Sequence, residues 1–323
     1  MATLLVIGGS GFFGKSILDM FHRGKLAPWN IDKVIAMSRS ARRLMLEAPE
    51  LVRGNVELIE SDIATTNYLP DADYVIHAAA STDARNYLSA GDKERENIQA
   101  GTLNYCRLAK KNKRNAKNIY VSSGAIYGTQ PEGLSSIEET YKFSNPSDIP
   151  EVKRDYSVAK RDAEELIRKL GDEGFSVCIA RCFAFVGKYL PRDQHFAIGN
   201  FIDDVINKRP IAVKANHQVY RSYMYADDLV EWLMTIADVA SPKCPIYNVG
   251  SNQAVLVSDL AKLLADTYNV QAQIPLIADS KIDRYIPSIK KAKKELGLLL
   301  KYSLTESIDE TIRGLGVKKL INE

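Results

Sequence analysis

The sequence has few cysteines, no long hydrophobic run and almost no excess of one charge. No apolar run approaches the roughly 20 residues of a membrane-spanning helix, so we predict no membrane partner. The first residues lack the basic segment of a signal peptide and are typical of a strand. The 43 basic and 40 acidic residues give a net charge of +3, which is too small to favour nucleic acid as a partner.

Cysteine usage also limits the function classes. The four cysteines have no zinc-ligand spacing, and we predict no metal site. Most of them lie in apolar surroundings. Cys178 and Cys182 lie on one predicted strand and its exit, so no disulfide is expected between them. We therefore predict four buried thiols in a reducing compartment, the cytoplasm. The cysteines are Cys106, Cys178, Cys182 and Cys244.

A glycine-rich loop follows the first predicted strand, residues 4–7, and a helical pattern continues from the loop to about Arg23. This order is the context of a dinucleotide-binding loop. Its first glycine allows a tight turn, the second lets pyrophosphate approach, and the third lets the helix pack on the strand. The phosphates then face the helix N-terminus. The alternative is a glycine-rich turn without a ligand. The predicted site comprises Gly8, Gly11, Phe12, Phe13 and Gly14.

The residues after the second predicted strand, 34–37, bear on the choice of cofactor. Units that bind NAD usually carry an acidic residue near this point, where it binds the ribose 2′-hydroxyl. Ser38 and Arg39 stand there instead, and a hydroxyl with a guanidinium suits a 2′-phosphate. We predict a preference for NADP, with NAD possible. The alternative is a basic loop without cofactor contact.

Further candidate cofactor contacts follow the next strands. Asp62 and Ile63 end the third predicted strand, where they would lie beside adenine. Small residues follow the fourth strand and would let a cofactor lie against the backbone, whereas His77 before them is interpreted as a packing residue. A helix predicted over about 93–112 carries Asn97. The small residues are Ala78, Ala79 and Ala80.

Tyr156 and Lys160 are four residues apart in a segment of good helix formers. On a helix, this spacing puts both side chains on one face. A phenol has a reference pKa near ~10, and a fixed ammonium nearby favours the phenolate. The pair therefore predicts a lowered pKa for Tyr156 and a role in proton transfer. Taken alone, the pair is also compatible with two unrelated surface residues.

The alternation of predicted strands and helices up to residues 177–181 indicates an α/β fold with a Rossmann-type doubly wound parallel sheet. From Phe183 the alternation becomes irregular, which indicates a smaller, interleaved C-terminal α/β lobe. We predict a dinucleotide-binding domain over 1–181, to which about 219–243 returns. A substrate-binding lobe is predicted over 182–218 and 244–323.

Several motifs occur together and in order. In order and spacing they resemble the extended short-chain dehydrogenase/reductases, the branch of nucleotide-sugar epimerases, dehydratases and reductases. The resemblance covers nearly the whole chain and extends to the segments 181–187, 221–228, 247–251 and 291–297. The motifs are Gly8-x-x-Gly11-x-x-Gly14, His77 with three alanines, Asn97, Ser122-Ser123-x-x-Ile126-Tyr127-Gly128 and Tyr156-x-x-x-Lys160.

The resemblance implies roles for individual residues. Ser123 matches the catalytic Ser/Thr and would hydrogen-bond the reacting sugar oxygen. Tyr156 would be the general acid or base, and Lys160 would bind the nicotinamide ribose and hold Tyr156 at a lowered pKa. Asn97 belongs to the implied cofactor site.

The resemblance also implies substrate contacts and an assembly. Asn200 and Arg221 would contact the substrate diphosphate, and a guanidinium suits phosphate oxygens. Apart from the resemblance, Arg284 is predicted to cap the far side of the nucleotide. Arg192 and His195 lie in the loop that should line the sugar site, without assigned contacts. Helices near 94–112 and 156–170 resemble the pair that forms a dimer interface in this branch, which implies a homodimer.

Three reactions share this scaffold. In the 4,6-dehydratases two acidic residues follow the catalytic Ser/Thr, but Gly124 and Ala125 stand there, so dehydration is not expected. We predict an NADPH-dependent reductase of a nucleotide-linked 4-keto-6-deoxyhexose in deoxysugar biosynthesis. Tyr156 would protonate the new alkoxide and Ser123 would stabilise the developing oxyanion. The alternatives are an NAD-dependent nucleotide-sugar 4-epimerase and, from another class, a non-catalytic NADP-binding sensor.

Overall fold

The computed structural model describes residues 1–80, 84–112, 115–192, 194 and 196–316, with the backbone alone between 84 and 92 and at 112. Strands and helices alternate in the first part of the chain. Its strands are β1 (Ala2–Ile7), β2 (Ile31–Ser38), β3 (Val56–Glu60), β4 (Tyr74–His77), β5 (Lys117–Ser123) and β6 (Val177–Cys182). Its helices are α1 (Phe12–His22), α2 (Leu44–Glu47), α3 (Ala84–Asn112) and α4 (Glu151–Asp172).

The elements after β6 are shorter. The strands are β7 (Phe185–Val186), β8 (Ile211–Ala212), β9 (Gln218–Arg221), β10 (Met224–Tyr225), β11 (Ile246–Val249), β12 (Val255–Leu256), β13 (Ala272–Gln273) and β14 (Ile282–Tyr285). The helices are α5 (Ala197–Ile206), α6 (Ala226–Asp238), α7 (Val257–Tyr268), α8 (Lys290–Leu296) and α9 (Leu304–Gly314). Short 3-10 turns comprise Ala27–Trp29, Ala41–Arg43, Pro49–Leu51, Gly124–Tyr127 and Pro146–Asp148.

Seven strands form one sheet in the order β3-β2-β1-β4-β5-β6-β11. The pairings from β3 to β6 are parallel. The apolar residues of β1 and β4 are almost completely buried, as expected for parallel strands covered on both faces. The strand order reverses between β1 and β4, which is where doubly wound sheets bind ligands. This sheet, flanked by helices, confirms the predicted Rossmann-type α/β fold.

The chain divides into two compact units. The first comprises Met1–Gly128, Phe143–Cys182 and Val230–Asn248 and carries the seven-stranded sheet. The second comprises Thr129–Lys142, Phe183–Leu229 and Val249–Glu323. It contains the sheet β12-β9-β14 and the pairs β7-β10 and β8-β13. The assignment of these units to dinucleotide and substrate binding stays a prediction.

Some boundaries differ from those expected. The chain returns to the first unit at Val230 and not near 219, because β9 and β10 pair with strands of the second unit. Helix α3 begins at Ala84, about nine residues before the predicted start. Residues 84–92 are compatible with a helix, but they carry no clear apolar repeat that would have predicted it. Helix α4 begins at Glu151, directly after Pro150, which is earlier than the helix near 156–170 that the resemblance implies.

One hydrophobic cluster in the core of the first unit lies between the sheet and helices α3 and α4. It includes Leu5 and Ile7 of β1, Tyr105 of α3 and Ile167 of α4. The four cysteines are free and buried, as predicted. Among the described residues, no helix is both long enough and apolar enough to span a bilayer.

Candidate active site

The loop between β1 and α1 is held by close backbone contacts. Gly8 has φ +97°, a conformation that favours glycine, and an added Cβ would lie 2.9 Å from the carbonyl carbon of Ala78. A Cβ on Gly14 would lie 2.2 Å from the Gly9 carbonyl oxygen. Gly9, which the sequence analysis did not single out, is equally constrained, since its Cβ would lie 2.7 Å from that of Ala36. Its sequence signal was the pair of adjacent glycines after an apolar strand.

Gly11 differs from these glycines because it is exposed and less crowded. An added Cβ would meet only the Gly8 carbonyl oxygen, at 3.3 Å. Gly11 is the N-cap of α1, where it supplies no side-chain cap, and the first turn with Phe12 and Phe13 contains no acidic residue. The backbone N–H groups of a helix N-terminus attract anions. The loop therefore fits the pyrophosphate of a dinucleotide.

Three serine hydroxyls meet at the end of β2. Ser38 Oγ donates to Ser10 Oγ at 2.8 Å, and Ser10 Oγ lies 3.1 Å from Ser40 Oγ. Arg39 is exposed and forms no ion pair with any described residue. The structure thus joins Ser38 to the glycine loop, and adds Ser10 and Ser40, which the sequence analysis had not assigned to the site. Hydroxyls and an exposed guanidinium together suit a phosphate group.

The other predicted cofactor residues lie at the ends of β3 and β4 and on α3. Asp62 accepts a hydrogen bond from the Ala64 N–H at 2.9 Å, and Ile63 is buried. An added Cβ on Gly101 of α3 would lie 3.2 Å from Ile63. Asn97 Nδ2 donates to Glu94 at 3.4 Å. Ala79 and Ala80 are partly buried against the core of the first unit.

The three predicted catalytic side chains lie together in the first unit. Ser123 ends β5, and its hydroxyl accepts a hydrogen bond from the Ala125 N–H at 3.2 Å. The Ser123 hydroxyl is also hydrogen-bonded to the Tyr156 side chain. Lys160 Nζ lies 5.9 Å from the centroid of the Tyr156 ring. Serine, phenol and ammonium are therefore close enough to act on one oxygen atom.

The prediction of a lowered pKa for Tyr156 is wrong. Burial raises its pKa to about 12, the hydrogen bond with Ser123 lowers it only in part, and Cys182 and Glu94 raise it further. These groups come from other elements, so the Tyr-x-x-x-Lys spacing did not reveal them. Tyr156 is thus protonated at neutral pH and is able to donate a proton.

Lys160 is buried and has neutral hydrogen-bond partners. Its Nζ donates to the Tyr120 hydroxyl at 3.2 Å and to the Val121 carbonyl at 2.9 Å. Burial lowers its pKa to about 8. The sequence analysis missed Tyr120, because it lies on β5 and no spacing connects it to Lys160.

A buried network fixes the turn that follows Ser123. Arg181 Nη2 donates to Glu164 at 2.8 Å, and Arg181 Nη1 donates to the Tyr127 hydroxyl at 2.9 Å. The Tyr127 hydroxyl donates to Asn248 Oδ1 at 2.8 Å. Burial lowers the pKa of Arg181, but its hydrogen bonds to Glu164 and the charge of that carboxylate outweigh burial and raise the pKa.

A second arginine connects the same turn to α4. Arg161 Nε donates to the Ile126 carbonyl at 2.8 Å, and its Nη1 donates to the Ser144 carbonyl at 2.9 Å. The Phe143 ring lies 4.9 Å from the Arg161 Cζ and 5.2 Å from the Arg181 Cζ. The turn that follows Ser123 and the helix that carries Tyr156 are thereby held together.

The predicted substrate residues lie in the second unit. Arg221 of β9 forms a half-buried ion pair with Asp283 of β14, with 2.8 Å between Nη2 and Oδ2. Arg284 lies with its Cζ 4.2 Å from the Tyr220 ring centroid, and its Nε has no hydrogen-bond partner among the described residues. The parallel pairing of β9 with β14 therefore places both arginines on one sheet.

Asn200 lies apart from that sheet, on α5. Its Nδ2 donates to the Gln194 carbonyl at 2.8 Å, so the chain itself uses this amide. Arg192 Nη1 donates to the Lys188 carbonyl at 3.3 Å. His195 lies outside the described residues.

Comparison with known proteins gives a family match and distant relatives. The protein-family model for the NAD dependent epimerase/dehydratase family matches residues 4–250. UDP-glucuronic acid decarboxylase 1 of Xenopus tropicalis is 26% identical over 314 residues, which are 96% of this chain and 71% of that protein. GDP-6-deoxy-D-mannose reductase of Pseudomonas aeruginosa is 26% identical over 280 residues, which are 84% of this chain and 82% of that protein.

A solved structure shares the fold. UDP-glucose 4-epimerase of Thermotoga maritima, determined with UDP-glucose, superposes with a TM-score of 0.78 at 21% identity. The superposition covers 97% of this chain and 98% of that chain.

Proposed function

Because the chain belongs to the NAD-dependent epimerase/dehydratase family, we propose that it is an NADPH-dependent reductase of a nucleotide-linked 4-keto-6-deoxyhexose. The named relatives act on nucleotide sugars, including a GDP-6-deoxy-D-mannose reductase. One observation carries the choice of reduction. Three serine hydroxyls meet at the end of β2, next to the exposed Arg39, where an NAD-binding unit usually carries an acidic residue. This arrangement favours NADPH, which a reductase consumes, over the NAD that a 4-epimerase keeps bound.

The residues of the first unit have separate tasks in this reaction. NADPH would supply the hydride to C4 of the sugar. Ser123 donates a hydrogen bond to the carbonyl oxygen and stabilises the developing oxyanion, and Tyr156 transfers its phenolic proton to that oxygen. The positive charge of Lys160 favours the transient phenolate, which regains a proton from solvent.

Cofactor binding would use the glycine loop and the end of β2. The N-terminal turn of α1, from Gly11, would bind the pyrophosphate. Arg39 and the hydroxyls of Ser10, Ser38 and Ser40 would bind the 2′-phosphate, which supports NADPH over NADH. The remaining cofactor contacts would come from Asp62, Ile63, Ala78, Ala79, Ala80 and Asn97.

The second unit would bind the nucleotide part of the substrate. Arg221 and Arg284 offer guanidinium groups to the diphosphate, and Asn200 offers an amide. We further propose a cytoplasmic homodimer that uses α3 and α4, on which Leu103 is 60% exposed and Val152 is 49% exposed.

The first test identifies the cofactor. The purified protein is denatured, any released nucleotide is identified, and the folded protein is titrated with NADPH and NADH. We expect no stoichiometric NAD and tighter binding of NADPH. Arg39→Ala should weaken NADPH binding about tenfold, as expected for one charge-assisted hydrogen bond, and leave NADH binding unchanged. Arg42→Ala, a second exposed arginine of the same segment, is the matched control. Stoichiometric NAD would favour the 4-epimerase.

The second test identifies the reaction. NADPH oxidation is followed over a panel of nucleotide-linked 4-keto sugars, with Tyr156→Phe as the inactive variant. Turnover that vanishes in this variant supports the reductase. NADPH binding without turnover of any panel member would favour the non-catalytic sensor.

A further inference from the structure

The ammonium of Lys160 contacts both the hydroxyl group and the aromatic ring of Tyr120. Its Nζ donates to the Tyr120 hydroxyl at 3.2 Å and lies 4.8 Å from the Tyr120 ring centroid. The ring adds a cation–π attraction to the hydrogen bond. Both residues are 2% exposed, so water does not replace these contacts. The Val121 carbonyl, at 2.9 Å, is the other acceptor.

Tyr120 is held independently of Lys160. Its ring packs edge-on against His77, with 5.4 Å between ring centroids and an angle of 85°. His77 and Tyr120 are register partners in the parallel pair of β4 and β5. The hydroxyl of the neighbouring Thr102 on α3 donates to the Ile98 carbonyl at 2.8 Å. The sheet therefore fixes the Tyr120 ring, and the phenol in turn contacts the ammonium.

We propose that Tyr120 is a positioning residue for Lys160, because its hydroxyl and ring hold the buried ammonium beside β5. The proposal deepens the proposed function and rests on it only for the consequence in catalysis. Without the hydroxyl, the ammonium would retain a single acceptor within the described residues. A buried ammonium that loses an acceptor favours its neutral form, so its pKa falls further.

Besides Tyr120 of β5, the titratable groups that face Lys160 come from four elements. They are Tyr156 and Glu164 of α4, Glu94 of α3, Cys182 of β6, and His77 of β4. Burial, followed by the charge of Lys160, lowers the pKa of His77 to about 3. Burial raises the pKa of Tyr156 to about 12 and that of Cys182 beyond its ordinary range. None of these three groups changes charge near pH 8, where Lys160 titrates.

The experiment measures the Lys160 titration directly, without cofactor or substrate. Lysine labelled with carbon-13 at Cε is incorporated, and the Lys160 resonance is assigned as the one missing in Lys160→Met. We expect a midpoint near pH 8 in the unmodified protein. Tyr120→Phe keeps the ring and removes the hydroxyl, and should lower the midpoint by about one pH unit.

Tyr105→Phe is the matched control. Tyr105 is buried, packs on the same His77 at 4.9 Å between centroids, and donates its hydroxyl hydrogen to Asn118 at 2.6 Å. This variant should leave the Lys160 midpoint unchanged. An unchanged midpoint in Tyr120→Phe, or an equal fall in Tyr105→Phe, would overturn the proposal.

A second measurement covers the case in which Tyr120→Phe does not fold. Replacing tyrosine by 3-fluorotyrosine during expression makes the hydroxyl a weaker acceptor and should shift the midpoint in the same direction. No shift would count against the proposal. Since the titration needs neither NADPH nor a sugar, failure of the proposed function would leave its outcome unaffected. If the proposed function holds, the alkaline limb of kcat should move down in pH by the same amount in Tyr120→Phe.

Discussion

Two buried cations of the first unit, Arg181 and Lys160, are each 2% exposed but have opposite surroundings. Arg181 faces the carboxylate of Glu164, which is equally buried, and the pKa of Arg181 is raised. Lys160 donates to a phenol and a backbone carbonyl, and burial lowers its pKa to about 8. Among the described residues, no carboxylate forms a hydrogen bond with Lys160, so only the charge of Arg181 is neutralised by direct contact.

The difference separates a structural charge from a reactive one. A buried ion pair fixes geometry, and breaking it exposes the partner to an uncompensated desolvation cost. A buried ammonium with neutral partners destabilises the fold, but its charge acts at full strength on nearby groups. Lys160 lies beside Tyr156, where such a charge assists proton transfer, whereas Arg181 holds the turn after Ser123.

The largest expected effect is the loss of the buried pair. Arg181→Met and Glu164→Gln should each lower the free energy of unfolding by about 3–5 kcal/mol, because each leaves a buried partner unpaired. Urea denaturation measures this change. The double variant Arg181→Met/Glu164→Leu removes both charges and should recover most of the loss. A double variant as unstable as either single variant would show that packing, and not charge, dominates at this site.

A second prediction concerns the unpaired charge and its pH dependence. The pKa of Lys160 is about 8 in the folded chain against an ordinary value of 10.5, so between these pH values the unfolded chain binds more protons. The stability of the unmodified protein should therefore rise with pH in this window relative to Lys160→Met, by up to about 3 kcal/mol. The measurement is the free energy of unfolding of both proteins from pH 7 to 11.

The control for this titration is Lys169→Met, which removes a lysine whose side chain is 63% exposed. Its stability should follow that of the unmodified protein at every pH. Parallel curves for Lys160→Met and the unmodified protein would mean that the ammonium is not destabilised by burial.

The smallest stability effect is expected at a third, half-buried cation in the second unit. In the Arg221–Asp283 pair the side chains are 22% and 28% exposed. Arg221→Gln should change the free energy of unfolding by less than about 1 kcal/mol, because solvent screens such pairs. The same variant should weaken binding of UDP or GDP about tenfold in calorimetry. Asp283→Asn keeps the guanidinium and should not weaken binding. A large loss of stability in Arg221→Gln would show that this pair stabilises the fold in the way expected for the buried Arg181–Glu164 pair.

The predictable part of this molecule depends on local patterns. The sheet follows from apolar runs that alternate with helical periods. The glycine loop follows from its place directly after β1, and the shared helix face of Tyr156 and Lys160 follows from their four-residue spacing. Each of these features is encoded within a short segment of the chain. The place of Ser123 beside them was implied only by the family resemblance.

The rest depends on residues that come together only in the fold. The raised pKa of Tyr156 has contributions from Cys182 on β6 and Glu94 on α3. Tyr120 contacts Lys160 across 40 residues of sequence. The start of α3 has no apolar repeat that would separate helix from loop. These features depend on burial and on contacts between distant segments, so the residue spacing within one segment does not predict them.

The four free cysteines make local unfolding of the first unit measurable by chemical modification. All four lie in the first unit, on α3, on β6 and in the segment Val230–Asn248. Burial raises the pKa of Cys106 and of Cys244 to about 12, so few reactive thiolates exist at neutral pH. An alkylating reagent therefore modifies these sulfurs only when local unfolding exposes them. The second unit has no cysteine and contributes no signal. The order in which the four sulfurs are modified would show whether α3 unfolds locally before or after β6. This measurement needs no substitution in the chain.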